Sequence, residues 1–506
     1  MADLGTREPS PIRFVIAGVG AVALTVGVGA LAASPTPKVQ VLGIAVPLLL
    51  LGAVVAVANP RAVYGSLAFI LGAAPLAIVP GIALPAFLLL TLATWVTVLI
   101  HRLEQTRVRA IEVTVVGFVA VSAISAVVTT QGSAYISEFI KWAIATSLVF
   151  ALLRLDRTTL RFFGRTYVYG AAVGATFALG MFAFDKAGTI INRLSIIGYG
   201  QTGTIGTHLR FYKTDDVSVV RLTGTYVDPN AAGIFLFVGL VLAVALLRGW
   251  SRVLLGGIIM IALVVTLSRS AIFSVVVALI VFFLFQRMRG GLRLGILAVG
   301  IGAVATALAV PSINRRIFDS FGSQDKGSRD RADALDNFIP SMSGHWWWGR
   351  GWGAPEFTDE VIGYKTNYVA NTPLLTTYRG GILVGIAFIV VLLVTIVVAS
   401  RSMRENRWER GVLVAGFIGF SVVALQLDFP VVTQAPMTLV FSVFIAMVAA
   451  NPVERFAGAG KHRAQTDDEP TPRALGRSTP PTRIRSGIPR SVSTNSPALR
   501  EVASHV

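Results

Sequence analysis

The chain lacks cysteine altogether, holds only five histidines, and draws just 14% of its 506 residues from Asp, Glu, Lys and Arg. No disulfide framework, thiolate metal site or cysteine nucleophile is therefore available. No His, Cys or Asp cluster has the spacing of metal ligands, and no glycine loop leads into a phosphate-cradling lysine. The pair Asp215-Asp216 is too slight a motif to hold a metal. The expectation is a metal-independent site with no cofactor. Scarce charge, a 54% hydrophobic composition and a mean hydropathy of +0.70 exclude an ordinary soluble enzyme. They indicate an all-α, polytopic integral membrane protein. The first thirteen residues are polar and lack a cleavage pattern, so the first apolar segment reads as a retained helix rather than a signal peptide.

About fourteen apolar stretches of membrane-spanning length run through 13–184, 231–310 and 373–450, reading as 13–33, 39–58, 62–79, 82–100, 111–129, 136–153, 166–184, 231–247, 252–268, 271–286, 292–310, 373–399, 411–427 and 435–450. With residues 1–12 in the cytoplasm, the basic short loops all fall on that side: Arg102, Arg107 and Arg109; Arg154, Arg157, Arg161 and Arg165; Arg248 and Arg252; Arg287, Arg289 and Arg293; Arg401, Arg404, Arg407 and Arg410. Turns on the other side, such as Thr130 to Ser133, are almost uncharged. That bias predicts two cytoplasmic termini and two long extracytoplasmic loops, 185–230 and 311–372, the second containing short helices. The net charge of +18 then faces anionic headgroups and does not imply nucleic acid. Residues 451–506, rich in Pro, Ser, Thr and Arg, are expected to be a disordered basic cytoplasmic tail. Richness in Ala, Val, Gly and Arg hints at a bacterial source, and the expected location is a bacterial plasma (inner) membrane.

Several outward-facing residues break the pattern. Arg269 lies in Leu267-Ser268-Arg269-Ser270, between two apolar helices with almost no loop between them. It can snorkel to headgroups, but intramembrane charge is costly and usually functional, and guanidinium forks well onto phosphate oxygens. Arg221 sits at the membrane lip ahead of Asp228-Pro229-Asn230, where it could contact a ligand or join an ordinary loop salt bridge. Asp228 or Asn230 can cap the following helix, with Pro229 in its first turn. Within 311–372, the stretch 328–339 around Arg331 has helical spacing, and its apolar positions suggest a helix lying on the membrane. Trp346, Trp347, Trp348 and Trp352 can stack on sugar rings or form an interfacial belt. His345 is a possible base, and Arg379 a second outer-side intramembrane arginine. Glu138 and Lys141, spaced i, i+3, can pair with each other or line a cavity, as can Gln426 and Asp428.

These residues resemble the O-antigen ligase and O-antigen polymerase superfamily over about 200–400. Arg221…Gly224-Thr225-Tyr226…Asp228-Pro229-Asn230 is similar to the family's Arg-x-x-Gly-x-Phe-x-Asp-Pro-Asn segment, and Leu267-Ser268-Arg269-Ser270-Ala271 to its Ser-Arg turn. Arg331 through Gly353 resembles the start of the large periplasmic loop, and Asn371-Thr372-Pro373-Leu374…Gly380-Gly381 its exit. Where family ligases carry a histidine thought to activate the acceptor, this chain has Ala370.

The resemblance implies an extracytoplasmic glycosyltransferase that takes glycan from a polyprenyl-diphosphate-linked donor to a glycan or lipid acceptor, by ligation or polymerisation. Arg221 and Arg269 would stabilise the leaving diphosphate. Arg331, Arg379, Asn371, Lys141 and Trp346 to Trp348 would hold substrate, with His345, Asp228 or Glu356 as the base. The rival readings are a flippase or exporter of lipid-linked glycan and a catalytically inert family member, the latter motivated by Ala370.

Overall fold

The computed structural model of the protein describes residues 57–80, 84–101, 109–185, 187–200, 211–213, 218–286, 332–355, 371–403, 408–425 and 434–450, with isolated positions at 52, 54 and between 291 and 302. The expected helices at 13–33 and 292–310, most of 39–58, and the tail lie outside those residues.

The first five helices are α1 (Pro60–Ala73), α2 (Ala86–Ile100), α3 (Ala110–Thr129), α4 (Ser133–Leu153) and α5 (Arg157–Phe184). α5 begins nine residues ahead of the expected start at 166. The cause is Asp156, whose carboxylate accepts the amides of Thr158 and Thr159 and caps the helix there. Arg157, Arg161 and Arg165, which marked a loop in the sequence, occupy its first turns. Arginine is a good helix former with a long stem, so it serves a helix end as readily as a loop.

The connection after α5 carries α6 (Thr189–Asn192), a two-stranded antiparallel hairpin of β1 (Phe211–Lys213) and β2 (Ser218–Val220), and a 3-10 turn at Gly224–Tyr226. Among the described residues, the hairpin is a small departure from a mostly helical set of elements. Next come α7 (Pro229–Leu246), α8 (Gly249–Val265) and α9 (Arg269–Phe285), then α10 (Phe338–Ser341), α11 (Thr372–Gly380), α12 (Ile382–Met403), α13 (Trp408–Gly419), extended by a π-helical turn over Phe420–Ala424, and α14 (Ala435–Ala450).

The expected continuous helix over 373–399 is in fact two. Gly381 sits between them at φ +85°, and a side chain there would strike the Trp347 carbonyl. A non-glycine residue pays both strain and clash at that point, so the break is written into Gly381. Arg379 is consequently at the end of a short helix, not inside a long one.

α7 is the central post. All its residues except Asn230 and Val244 are buried, as expected of a helix that is apolar all round. It packs on α5, α8, α9, α13 and α14. Around it α1 lies on α5, α12 on α3, α14 on α4 and α9 on α13. The α1–α5 crossing is a backbone contact, since a Cβ on Gly72 would meet the Tyr167 carbonyl and one on Gly170 the Phe69 carbonyl. Small residues permit such close approach between membrane helices.

At the start of α3, buried Glu112 lies 2.7 Å from Arg154 as an ion pair, not aligned as a hydrogen bond. Its other oxygen accepts the Arg109 amide at 2.8 Å. Five described helical stretches are long and apolar enough to cross a membrane: α3, α4, α5, α7 and Ile382–Arg401 of α12. α2, α8, α9 and α14 are shorter apolar helices.

Candidate functional site

The Arg221 and Arg269 segments are brought together, and Arg221 does the joining. Its Nε donates to the Thr266 carbonyl at 3.0 Å, and one terminal nitrogen donates to Asn230 Oδ1 at 2.7 Å and, more weakly, to the Leu267 carbonyl at 3.4 Å. The Leu222 amide adds a bond to the Val265 carbonyl. The carbonyls at an α-helix C-terminus have no partner within the helix, and here the loop ahead of α7 supplies partners for those ending α8. A positive group at that end also opposes the helix dipole. Neither expected role for Arg221, ligand contact or loop salt bridge, anticipates this use as a brace between α8 and α7.

The turn between α8 and α9 is three residues long, Thr266 to Ser268, and all three are buried. Thr266 Oγ1 donates to the Leu263 carbonyl at 2.6 Å and accepts the Ser268 amide at 3.1 Å, while Ser268 Oγ lies 3.1 Å from Ser270 Oγ. Arg269 follows as the first residue of α9, half-buried. Gly233 of α7 faces Ser268 and Ala271 so closely that a Cβ would touch both. The N-termini of α7 and α9 are therefore neighbours. Helix N-termini carry partial positive charge and N–H groups; the α7 end is closed by the Asp228 carboxylate, whereas the α9 end, at Arg269, has no side-chain cap and is the anion-attracting one.

Backbone strain marks the same place. Among the described residues only Val227 (φ +65°) and Leu267 (φ +51°) are non-glycine residues at positive φ. One precedes Asp228 and the other lies two residues before Arg269. For a β-branched residue such a conformation is a genuine outlier, costing on the order of 1–3 kcal/mol, and such outliers cluster at functional sites. Sequence patterns give no signal for either.

Asp228 is used as a cap: Oδ1 accepts the Asn230 amide at 2.8 Å and the Ala231 amide at 3.1 Å. The turn before it is pinned to α1, where Thr225 Oγ1 donates to the Ala73 carbonyl at 2.6 Å and the Tyr226 hydroxyl to the Gly72 carbonyl at 2.8 Å. Gly224, at φ +57°, packs against Ala178 of α5. Gly224, Thr225 and Tyr226, noted in the sequence as part of a motif, thus hold the Arg221 loop down. Further out, Asp185 closes the end of α5. Desolvation pushes its pKa up, but hydrogen bonds from the Thr189 side chain and the amides of Thr189, Ile190 and Ile191 outweigh this and hold it below the ordinary carboxylate value.

The other expected site residues gather in a second cluster, where the 332–355 segment meets the α11–α12 junction. Arg379 is buried and donates to the Trp352 carbonyl at 2.7 Å. Arg350 donates to the Ser341 carbonyl at 2.7 Å, and the amides of Arg350 and Gly351 bond to the carbonyls of Tyr378 and Arg379. Asn371 caps α11 through the Leu374 amide. His345 is exposed, with Nδ1 2.9 Å from the Ser343 carbonyl.

The four tryptophans do not act as one group. Trp346, Trp347 and Trp348 are exposed, whereas Trp352 is buried against Trp142, with ring centroids 4.3 Å apart, and against Phe139. Lys141 pairs with Glu138 at 2.8 Å. A cavity below Trp142, lined by Phe118, Thr146, Phe388 and Ser442 among others, has a volume of about 10 Å³, room for one water and not for substrate. Among the described residues, no three His, Cys, Asp or Glu side chains are grouped as metal ligands. Arg331, Glu356, Ala370, Gln426 and Asp428 lie outside the described residues.

Compared with protein-family models, residues 253–373 match O-antigen ligase. The match takes in most of α8, the 266–268 turn, Arg269 and the whole segment up to the start of α11. A search of curated proteins found no match.

Proposed function

With residues 253–373 forming an O-antigen ligase domain, a match that supports membership of the O-antigen ligase superfamily, we propose that this integral membrane protein transfers or polymerises glycan from a polyprenyl-diphosphate-linked donor. The reaction takes place on the extracytoplasmic face of a bacterial inner membrane. The observation that carries the reading is the convergence of the Arg221 and Arg269 segments at the uncapped N-terminus of α9, with the strained residues Val227 and Leu267 alongside.

An acceptor hydroxyl oxygen attacks the anomeric carbon of the donor sugar. The bond from that carbon to the diphosphate oxygen breaks, polyprenyl diphosphate leaves with the electron pair, and the hydroxyl proton passes to a base or to water. Negative charge grows on the leaving group, so the groups that matter are fixed positive ones. Arg269, at the first turn of α9, is the direct contact in this scheme. Arg221 has its guanidinium engaged with Thr266, Leu267 and Asn230, so it acts by holding the turn that presents Arg269. It is a positioning residue. Because a diphosphate leaves without protonation near neutral pH, the scheme asks for no metal. Asp228 is occupied as a helix cap, which favours another group as acceptor base.

The test is the lipid-linked glycan pool of depleted cells, resolved by membrane side and complemented with wild type or Arg269→Ala. Accumulation of donor on the outer face, relieved by wild type and not by the variant, is the expected result. Accumulation on the inner face would mean export and end the transferase reading. An unchanged pool would leave an inert family member.

A further inference from the structure

The 332–355 segment has more apolar surface than its own packing uses. Ala334, Phe338 and Met342, spaced one helical turn apart, are buried against Leu375 and Tyr378 of α11. That stripe already satisfies the segment's attachment to the protein. Yet Leu335 and Ile339, also one turn apart, are 52% and 68% exposed, and the run from Trp346 to Trp348 follows with Trp347 at 67%. Trp346 packs edge-on against Phe338, which ties the tryptophan run to the helical part of the segment.

Large apolar side chains left exposed together on one folded segment mark a surface meant for something else. What covers it follows from the fixed backbone of the patch. The Ile382 amide donates to the Trp346 carbonyl at 2.8 Å. Gly381 lies against the Trp347 carbonyl. Ser125, in the last turns of α3, donates to the Trp348 carbonyl at 2.8 Å. The tryptophans are thus held at the level where α12 begins and α3 ends. Both helices are long and apolar enough to span a membrane. Ile382, Leu383, Ile386, Val390 and Leu393 of α12 are themselves exposed, as lipid-facing residues of a spanning helix must be. The exposed tryptophans adjoin the start of that exposed helix through the bond between the Ile382 amide and the Trp346 carbonyl.

We infer that Leu335, Ile339 and Trp346 to Trp348 form a monotopic anchor, seated in the headgroup and upper acyl region of the same bilayer face at which α12 begins. Its partner is the lipid–water interface, where indole rings with an apolar body and one N–H donor are at home. The inference is independent of any catalytic reading. It also divides the tryptophans by role: Trp352 is a buried wedge against Trp142, whereas the three before it face lipid. A saccharide platform is the competing use, and it requires the same rings to face water.

Tryptophan fluorescence of the full-length protein in phosphatidylcholine vesicles decides between them. The quenchers are lipids brominated high on the acyl chain, lipids brominated near the chain end, and aqueous iodide. The wild type is compared with W346F/W347F/W348F and with the milder W347F. The expected result is that the substitutions remove an emission component quenched strongly by shallow bromine, weakly by deep bromine and hardly by iodide. If that component is quenched by iodide and untouched by bromolipid, the anchor does not exist. If it shifts on adding a soluble oligosaccharide while ignoring bromolipid, the rings are a sugar platform and the inference fails. Should the triple variant fold poorly, W347F alone still reads out the most exposed ring.

Discussion

Replacing Arg221 by alanine removes two well-formed charge-assisted hydrogen bonds, to the Thr266 carbonyl at 3.0 Å and Asn230 Oδ1 at 2.7 Å, and a third at 3.4 Å that contributes little. Hydrogen bonds to charged groups are worth about 1.5–3 kcal/mol each, and bonds sharing one guanidinium do not add fully. The expected destabilisation is therefore about 3–4 kcal/mol. Lysine keeps the charge but loses the planar fork, so Arg221→Lys recovers roughly half of it. Arg269→Ala leaves these bonds intact. It is expected to slow transfer by about 10²–10³, the usual effect of deleting one transition-state donor. If Arg221 works through the turn that presents Arg269, the double variant turns over no more slowly than Arg269→Ala alone. Thermal unfolding in nanodiscs and a glycan-transfer assay on the four variants give both readings. Wild-type melting of Arg221→Ala would refute the brace, and multiplicative losses of turnover in the double variant would refute the indirect role.

Asp228→Ser should keep most activity, because serine caps nearly as well, whereas Asp228→Ala should cost about 1 kcal/mol of stability; an inactive but stable serine variant would make Asp228 the base. Glu112→Ala, which removes the acceptor of the Arg109 amide and the partner of the part-exposed Arg154, should destabilise by about 2 kcal/mol in a denaturation titration. Gly381→Ala should lower the melting point markedly, since both its φ of +85° and the Trp347 carbonyl forbid a side chain. Asp185 has a folded-state pKa below its ordinary 3.8, so its stabilisation is complete above that value and is lost as pH falls through the lower folded one. Asp185→Asn should flatten the acid limb of the melting-point profile, and an unchanged limb would show that the carboxylate is not responsible.

Legibility in the sequence varied with the range of the interaction. Long apolar runs located α3, α4, α7 and α14 closely, because burial in lipid or core demands nothing more than apolar residues in number. The start of α5 is hidden in the sequence because Arg157 to Arg165 carry the charge of a loop and the propensity of a helix, and Asp156 decides between them. The break at Gly381 depends on the Trp347 carbonyl, 34 residues away in the chain, and no window on the sequence holds both. At the candidate site, Arg221 and Arg269 stood out as misplaced charges. That Arg221 would be consumed by carbonyls of α8 did not, since backbone acceptors carry no sequence signature. Trp352 looked like its three neighbours, and only the approach of Trp142 separates it from them.

The glycine crossing of α1 and α5 also sets an order of events during synthesis. The Gly72 face of α1 is complementary to the backbone of α5 at Tyr167 and Gly170, but 83 residues separate the end of α1 at Ala73 from the start of α5 at Arg157. At about 5–20 residues per second the ribosome needs roughly 4–17 s to make that stretch. Throughout that interval a 14-residue helix with a notched face lacks its main partner. The nascent chain thus passes through a timed, half-assembled stage, and quality control of this protein is expected to act there.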